Sequence, residues 1–290
     1  MIDRKELYEQ SSTNKQLNIV CQDGTTIDNT MLHYENFTLT ESLCSEESLT
    51  FGSCEASVLK FRVSKVAAAL KGKSITVTET VSGSDPFQFG IYKVHEDKLT
   101  DDRKWRDITA YDGMYDILNA DVAEWYNSLN FPIKLKAFRD NFFKYFGVTQ
   151  ADVTLINDEM IVEKTIDPEE MAGKAVICAI CEINGMFGHV NRDGKFEYIT
   201  LEDNSALTEE VQKGKYKSFK YSDFTSRKIT QLQIRLEKDD IGVVVGETGN
   251  GYVIEDNFLV YGKSTEDLTP IAQKTLSVME KAEYIPFTIE

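Results

Sequence analysis

The sequence predicts an α+β protein in which two strand-rich regions are separated by a helical region and followed by a terminal helix. Short apolar segments with turn residues between them fill the chain up to about residue 112. Apolar residues then take helical spacing, and turn-bounded strand segments return after residue 186. The chain is rich in Tyr (13) and Phe (16), which favours strands because aromatic side chains fit a pleated surface.

The first strand-rich region has the pattern of a sandwich or barrel, with close spacing between short strands. Asp23-Gly24 is a strong hairpin signal after the strand-like residues 17–20, LNIV. Glycine and polar residues separate the segments that follow. We expect strands in TTI, HYENFTLTESL, SLTFGS, ASVLKFRV, SITVTETV, FQFGIYKVHEDKLT and KWRDITAYD.

Helical spacing begins after Asp112. One helix is predicted in GMYDILNADVAEWYNSL, and a second in LKAFRDNFFKYFGV, which Gly147 would end. A third helix, or a short turn and a longer helix, is predicted in IDPEEMAGKAVICAICEINGM. Pro168 and the following Glu pair suit a helix start there. The apolar face of the first helix consists of Met114, Ile117, Leu118, Val122 and Trp125.

Strands return in the last third of the chain. A hairpin is predicted around Asp193-Gly194, and further strands in YKSFKYSDF, KITQLQIRLEKDD, IGVVVGET and GNGYVIEDNFLVYG. A terminal helix, STEDLTPIAQKTLSVMEKA, precedes YIPFTIE, which has the pattern of one more strand. We therefore expect the chain to be either a short natural form or a truncated one.

Charge and composition limit the functions that the chain can have. The net charge of the 290 residues is −16, which argues against gripping nucleic acid, since such affinity comes largely from Lys and Arg. The first residues are polar, without an apolar signal core. No run approaches the roughly 20 apolar residues of a membrane span. We expect a soluble chain that is made in the cytoplasm and does not insert into a membrane.

The five cysteines are an odd number at low density, which favours reduced, buried thiols over a disulfide framework. Cys44 and Cys54 are too far apart in sequence for a metal knuckle, and a nucleophile would need a base nearby. Packing is favoured for them, with a contact that air could oxidise as the alternative. Cys178 and Cys181 form a C-x-x-C inside an apolar helical run, where packing is again favoured over redox or zinc chemistry.

No other motif predicts catalysis. The histidines His33, His95 and His189 are scattered, and the glycine-rich residues 246–251 match no phosphate-binding pattern, which favours a hairpin turn. Residues 191–195 lack the rest of a calcium loop and also favour a turn. Four acidic pairs favour a solvated surface, and they are Glu46-Glu47, Asp101-Asp102, Glu169-Glu170 and Asp239-Asp240. We predict no catalytic, cofactor-binding or metal-binding residue and no cofactor.

The order of several segments resembles that of the hub proteins at the tail tips of tailed phages and prophages. The segments, spread over residues 17–290, are LTESLCSEESLTFGSCEASVLKFRV, ITAYDGMYDILNADVAEWYNSL, LKAFRDNFFKYFGV, ICEINGMFGHVNRDGKFEYITL and NGYVIEDNFLVYG. This family is the tail-associated, "prophage endopeptidase tail" family of Gram-positive phages. The resemblance implies two β-barrel-like domains separated by a helical and α/β subdomain, assembled as a trimer with pseudo-sixfold symmetry.

On this chain the resemblance implies an N-terminal tail (1–16), a first barrel (17–112) and a helical and α/β subdomain (113–203). A second barrel (204–262) and the start of a last subdomain (263–290) would follow. Cys44 and Cys54 would be wall residues on two neighbouring strands of the first barrel, where Gly52 would let backbones approach closely.

The function implied by the resemblance is structural. The hub would form a trimeric ring in the virion that closes the tail tube, attaches to the distal tail protein and meets the tape-measure protein. DNA would pass through an acidic lumen without specific binding. The alternatives are a tail-associated peptidoglycan hydrolase, whose lytic domain would lie beyond residue 290, and a module that binds host-surface carbohydrate.

Overall fold

The computed structural model describes residues 14–44, 49–64, 69–201, 216–221, 228–236, 240–282 and 287–289. It is a mixed α+β structure with more strands than helices in these residues. The predicted N-terminal tail falls almost entirely outside the described residues, as do Glu46-Glu47 and Asp239. No described helix has the length and apolar character needed to cross a bilayer.

Seven strands form an antiparallel sheet in the order β2-β1-β5-β6-β7-β4-β3. The side chains of β5 alternate strictly between half-buried and buried, as expected for a sheet with one face on a core. The inward residues form an apolar cluster confined to residues 19–110. The strands are β1 (Lys15–Cys21), β2 (Thr26–Asp28), β3 (Thr38–Thr40), β4 (Val58–Ser64), β5 (Ser74–Val81), β6 (Phe87–Leu99) and β7 (Trp105–Tyr111).

The sheet is not a closed barrel in the described residues, because its edge strands β2 and β3 do not pair with each other. In the chain between them, Leu32 forms a β-bridge with Val63 of β4, and a 3-10 helix follows at Tyr34–Asn36. The strands predicted in HYENFTLTESL and SLTFGS were wrong in extent. Among the described residues of these two segments, only those of β3 form a strand.

The first predicted helix is two helices, α1 (Gly113–Asn119) and α2 (Ala123–Ser128). The break is caused by Asp121, which forms a β-bridge with Ala172 and accepts hydrogen bonds from the Met171 and Ala123 amides, at 3.0 Å each. The same bridge keeps residues 171–172 out of a helix. The third predicted helix therefore begins at Gly173 instead of near Pro168.

The other helices are α3 (Leu135–Phe146), α4 (Gly173–Ile183) and α5 (Thr265–Met279). As predicted, α3 ends at Gly147, whose φ of 65° is the left-handed conformation that glycine favours. Two short strands, β8 (Ile133–Lys134) and β9 (Ile161–Val162), pair beside α3. The predicted hairpin at Asp193-Gly194 is formed by β10 (Phe187–Val190) and β11 (Phe196–Ile199).

A three-stranded sheet in the order β14-β13-β15 packs on α5. Its strands are β13 (Gln231–Ile234), β14 (Val243–Gly246) and β15 (Gly251–Ile254). Because β14 and β15 flank β13 on opposite sides, the glycine-rich residues 246–251 cross over the start of β13, and the predicted hairpin turn there was wrong. Two more strands, β12 (Phe219–Tyr221) and β16 (Phe287–Ile289), form a separate antiparallel ribbon.

The helices and the three-stranded sheet share a second apolar cluster that has no residue in common with the first. Hydrogen bonds between buried polar groups lie within this second cluster. The side-chain Nδ2 of Asn157 donates to Thr275 Oγ1 (3.0 Å) and to the Ile183 carbonyl (2.7 Å). The backbone amide of Asn157 donates to Asn184 Oδ1 (3.0 Å). These bonds connect the ends of α4 and α5 through the loop that precedes β9.

Polar contacts connect the seven-stranded sheet to the helices. The chain enters β4 after Ser57 and leaves β7 at Asp112, and these two residues bond to each other. The Ser57 amide donates to Asp112 Oδ2 (3.0 Å), and the Asp112 amide donates to the Ser57 carbonyl (3.2 Å). Asp112 Oδ1 also caps α1 by accepting from the Met114 amide (3.0 Å). Farther away, Gln88 Nε2 donates to the Arg192 carbonyl (2.5 Å).

Candidate functional site

The connection between β3 and β4 leaves the seven-stranded sheet and packs against α4 and β10. The Gly52 amide donates to the Met186 carbonyl (2.8 Å), and the Gly188 amide donates to the Ser53 carbonyl (3.0 Å). Phe51 lies between two aromatic rings, with its centroid 5.3 Å from Phe187 and 5.2 Å from Tyr252. Residues 41–44 and 49–57 are therefore not two strands of a barrel wall, as predicted, but parts of a segment that docks on the helical part of the molecule.

Gly52 makes this docking possible. Its φ is +86°, and a Cβ there would lie 2.6 Å from Glu182 Cβ and 2.8 Å from the Cys178 carbonyl oxygen. Any other residue would combine left-handed backbone strain with a collision against α4. The expected close approach at Gly52 is present, but its partner is a helix and not a neighbouring strand.

The docking brings Cys54 to the C-x-x-C of α4. Cys54 Sγ lies 3.7 Å from Cys181 Sγ, and Cys178 hydrogen-bonds with Cys54. Cys54 and Cys181 are fully buried. Cys44 stays outside this group, with its Sγ 3.4 Å from Ser53 Oγ. The sequence contains both cysteine motifs, but nothing in their spacing indicates that they meet.

The surroundings of Cys54 and Cys178 disfavour their thiolate forms. Burial raises the pKa of Cys54 well above its ordinary value. The hydrogen bond with Cys54, together with burial, raises the pKa of Cys178. Because the thiolate is the nucleophile and the metal ligand, the raised pKa values of Cys54 and Cys178 favour the predicted packing role. In the described part of the chain, no group of three or more His, Cys, Asp or Glu side chains could hold a metal ion.

A cleft of about 350 Å³ opens beside the thiols, between the docked segment and α4. Four ionisable side chains line it, and they are Glu55, Lys174, Glu182 and Asp256. The pKa of Glu182 is raised to about 7 by burial although Asn257 Nδ2 donates to its Oε2 (3.0 Å). Asn257 also donates to the Ala179 carbonyl (2.9 Å) and caps the 3-10 helix Phe258–Val260. Glu182 is therefore a carboxyl group that changes charge near neutral pH where three segments meet.

The three histidines lie on different elements. His33 contacts Trp105 edge-on at 5.4 Å, and His189 lies in β10. The His95 ring lies 4.3 Å from the Tyr115 ring, and its Nε2 is 3.7 Å from Asp116 Oδ1. This contact holds α1 against the seven-stranded sheet.

The remaining predicted features keep structural roles where they are described. Asn191 Oδ1 accepts from the Asp193 and Lys195 amides (3.0 Å each), which fixes the turn between β10 and β11. Asp101, Asp102, Glu169, Glu170 and Asp240 are exposed. A second cleft of about 410 Å³ contains Lys263, whose pKa is lowered by burial and whose Nζ donates to the Ile161 carbonyl.

Comparison of the sequence finds no match among protein-family models and no match among curated proteins. Comparison of the structure finds tail proteins. The tail protein from Neisseria meningitidis MC58 aligns with a TM-score of 0.57 and 11% identity, over 95% of this chain and 80% of that chain. The 43 kDa tail protein of prophage MuSo2 from Shewanella oneidensis aligns with a TM-score of 0.53 and 12% identity, over 89% and 76%. The chain has the fold of phage tail proteins.

Proposed function

We propose that this chain is a structural protein of a phage or prophage tail, located in the virion. The observation that carries the proposal is the likeness of the fold to two tail proteins, one of them from a prophage, which extends over 95% and 89% of the chain. The raised pKa values of the Cys54 and Cys178 thiols and the separation of the three histidines agree with a role that needs no reaction. The chain would act by assembling with other proteins.

Within the tail, we place the chain at the tip as the hub. Three copies would form a ring that closes the end of the tail tube, attaches to the distal tail protein and meets the tape-measure protein. The order of sequence segments described above supports this position. The charge of −16 supports a ring through which DNA passes without binding, since carboxylates repel phosphates.

The test is the solution mass by light scattering over a concentration series, followed by electron microscopy. A trimeric hub has a mass near three times 32.9 kDa and a central hole. The distal tail protein is then added at equimolar concentration, and we expect it to bind the ring on one face. A chain that stays monomeric at every concentration, alone and with the distal tail protein, would overturn the hub proposal.

A further inference from the structure

Glu182 lies where the docked segment, residues 49–57, meets α4. A Cβ on Gly52 would lie 2.6 Å from Glu182 Cβ, so the backbone of the segment is in close contact with this side chain. A third piece of chain reaches it as well, since Asn257 Nδ2 donates to Glu182 Oε2 (3.0 Å). Glu182 is only partly exposed. The docked segment, α4 and the residues that follow β15 therefore all meet at one acidic side chain.

The cleft beside Glu182 contains more carboxylates than cations. Glu55 of the docked segment, Asp256 after β15 and Lys174 in the first turn of α4 line it together with Glu182. With Glu182 protonated, two carboxylates share the cleft with one ammonium group, and ionisation of Glu182 makes this three against one. The repulsion among the carboxylates is stronger than in bulk water, because the walls of the cleft are protein of lower dielectric constant.

The thiols Cys54 and Cys178 also line this cleft. Their raised pKa values keep them neutral, so they add no charge to it. The pKa of Glu182 agrees with this arrangement, since burial, and after it the charge of Asp256, raise it to about 7. Glu182 is therefore a group whose charge changes inside the docking contact near neutral pH.

The docked segment can leave α4 without the unfolding of a helix or strand. Residues 49–57 belong to no helix or strand. Two backbone hydrogen bonds cross from the segment to the chain around β10, from the Gly52 amide to the Met186 carbonyl and from the Gly188 amide to the Ser53 carbonyl. The Phe51 side chain packs between two aromatic rings. A segment with few such contacts opens at a lower free energy than the whole protein unfolds.

We propose that the docked segment is a pH-dependent latch between the seven-stranded sheet and α4. It stays closed while Glu182 is protonated and opens more readily once Glu182 is ionised, because opening gives the carboxylate water and moves Glu55 away from it. Opening also removes Phe51 from its aromatic neighbours. The pKa of Glu182 is raised from 4.5 to about 7 in the closed state, so opening becomes easier as pH rises through this range.

Hydrogen exchange of the full chain, followed by NMR, tests the latch. The reporters are the Gly52 and Gly188 amides, since their hydrogen bonds across the docking contact break on opening. A carboxyl group with a pKa of about 7 when closed and 4.5 when open lowers the protection of these amides about 30-fold between pH 5.5 and pH 8.5, after correction for intrinsic exchange. The wild type should show this fall. Glu182→Gln should not, because its side chain does not ionise, and the matched control Glu169→Gln, at an exposed position, should behave like the wild type.

Asp256→Asn tests the charge argument separately. Asp256 is exposed, and an asparagine there keeps an oxygen that can accept from Tyr261 as Asp256 does. Loss of this neighbouring carboxylate should lower the pKa of Glu182, so the protection of Gly52 and Gly188 should fall less than in the wild type over the same pH range. An equal fall would overturn the part of the proposal that rests on the carboxylates of the cleft, and this test does not depend on the folding of Glu182→Gln.

Three results would overturn the latch as a whole. The first is constant protection of Gly52 and Gly188 in the wild type, and the second is a fall of the same size in Glu182→Gln. The third concerns the Leu135 amide, which donates to the Met160 carbonyl (2.8 Å) at the start of α3. At pH 8.5, Gly52 and Gly188 should be less protected than Leu135. Equal protection at all three would mean that the whole protein unfolds and that the segment does not open by itself.

Discussion

Arg139 and Asp158 form a buried bidentate ion pair beneath α3. Arg139 Nε lies 2.7 Å from Asp158 Oδ1, and Arg139 Nη2 lies 2.8 Å from Asp158 Oδ2. The side chains are only 2% and 3% exposed. Arg139 also donates to Gln150 Oε1 and to the Val153 carbonyl. One side chain on α3 therefore fixes the whole loop between α3 and β9.

Arg139→Met should destabilise the protein strongly, by about 3–5 kcal/mol, because it leaves the Asp158 carboxylate buried without its cation. The free energy of unfolding in urea measures the effect. Lys136→Met is the matched control on the same helix, since its partner Asp140 is 42% exposed and an exposed pair contributes little. Equal shifts for the two variants would contradict the role assigned to Arg139.

Glu182 should make stability depend on pH. Its pKa is about 7 in the folded protein, raised from 4.5, so the stabilisation is fully present below pH 4.5 and is lost as pH rises through about 7. Relative to Glu182→Gln, the wild type should lose about 2–3 kcal/mol between pH 4.5 and pH 8. Urea unfolding of both proteins over this range measures the difference. Glu169→Gln, at an exposed position, should show no such trend, and parallel pH curves for Glu182→Gln and wild type would refute the assignment.

Gly52→Ala should cost more stability than Gly24→Ala, although both glycines have a φ near +85° (86° and 84°). The left-handed backbone costs about 1–2 kcal/mol in each variant. At Gly24 the added Cβ meets nothing within 4 Å, whereas at Gly52 it collides with α4. The collision should add about 1–3 kcal/mol. Thermal unfolding of the two variants compares them directly, and equal costs would mean that the docked segment yields without strain.

The cysteines should differ in their reaction with iodoacetamide. Cys44 is half-buried and should react in the native protein, whereas Cys54 and Cys181 are fully buried, with Cys54 also held protonated, and should react only after unfolding. Peptide mapping after native and denaturing labelling distinguishes them. Native labelling of Cys54 at the rate of Cys44 would show that the docked segment opens in solution.

Local patterns predicted the local elements well. The alternation in SITVTETV predicted β5, the spacing in LKAFRDNFFKYF predicted α3, and Gly147 predicted its end. These patterns succeed because the periods of strands and helices are set by the backbone itself. Met114, Ile117, Val122 and Trp125 are all buried, as expected, although the helix that carries them is broken in two.

The errors come from long-range contacts. The break at Asp121 and the late start of α4 both depend on a bridge to Ala172, 51 positions along the chain. The contact between Cys54 and Cys181 spans 127 positions, and no local period carries such information. Gly52 was the one available signal, because a glycine in an apolar segment indicates close approach. It does not say what approaches.

The two apolar clusters share no residue, so the seven-stranded sheet and the helical part each keep their own packed interior. Polar bonds such as those between Ser57 and Asp112 connect them near the chain crossings, and the segment that leads into β4 places Phe51 inside the second interior. The two parts therefore cannot separate by breaking hydrogen bonds alone, because Phe51 would also have to leave its aromatic neighbours.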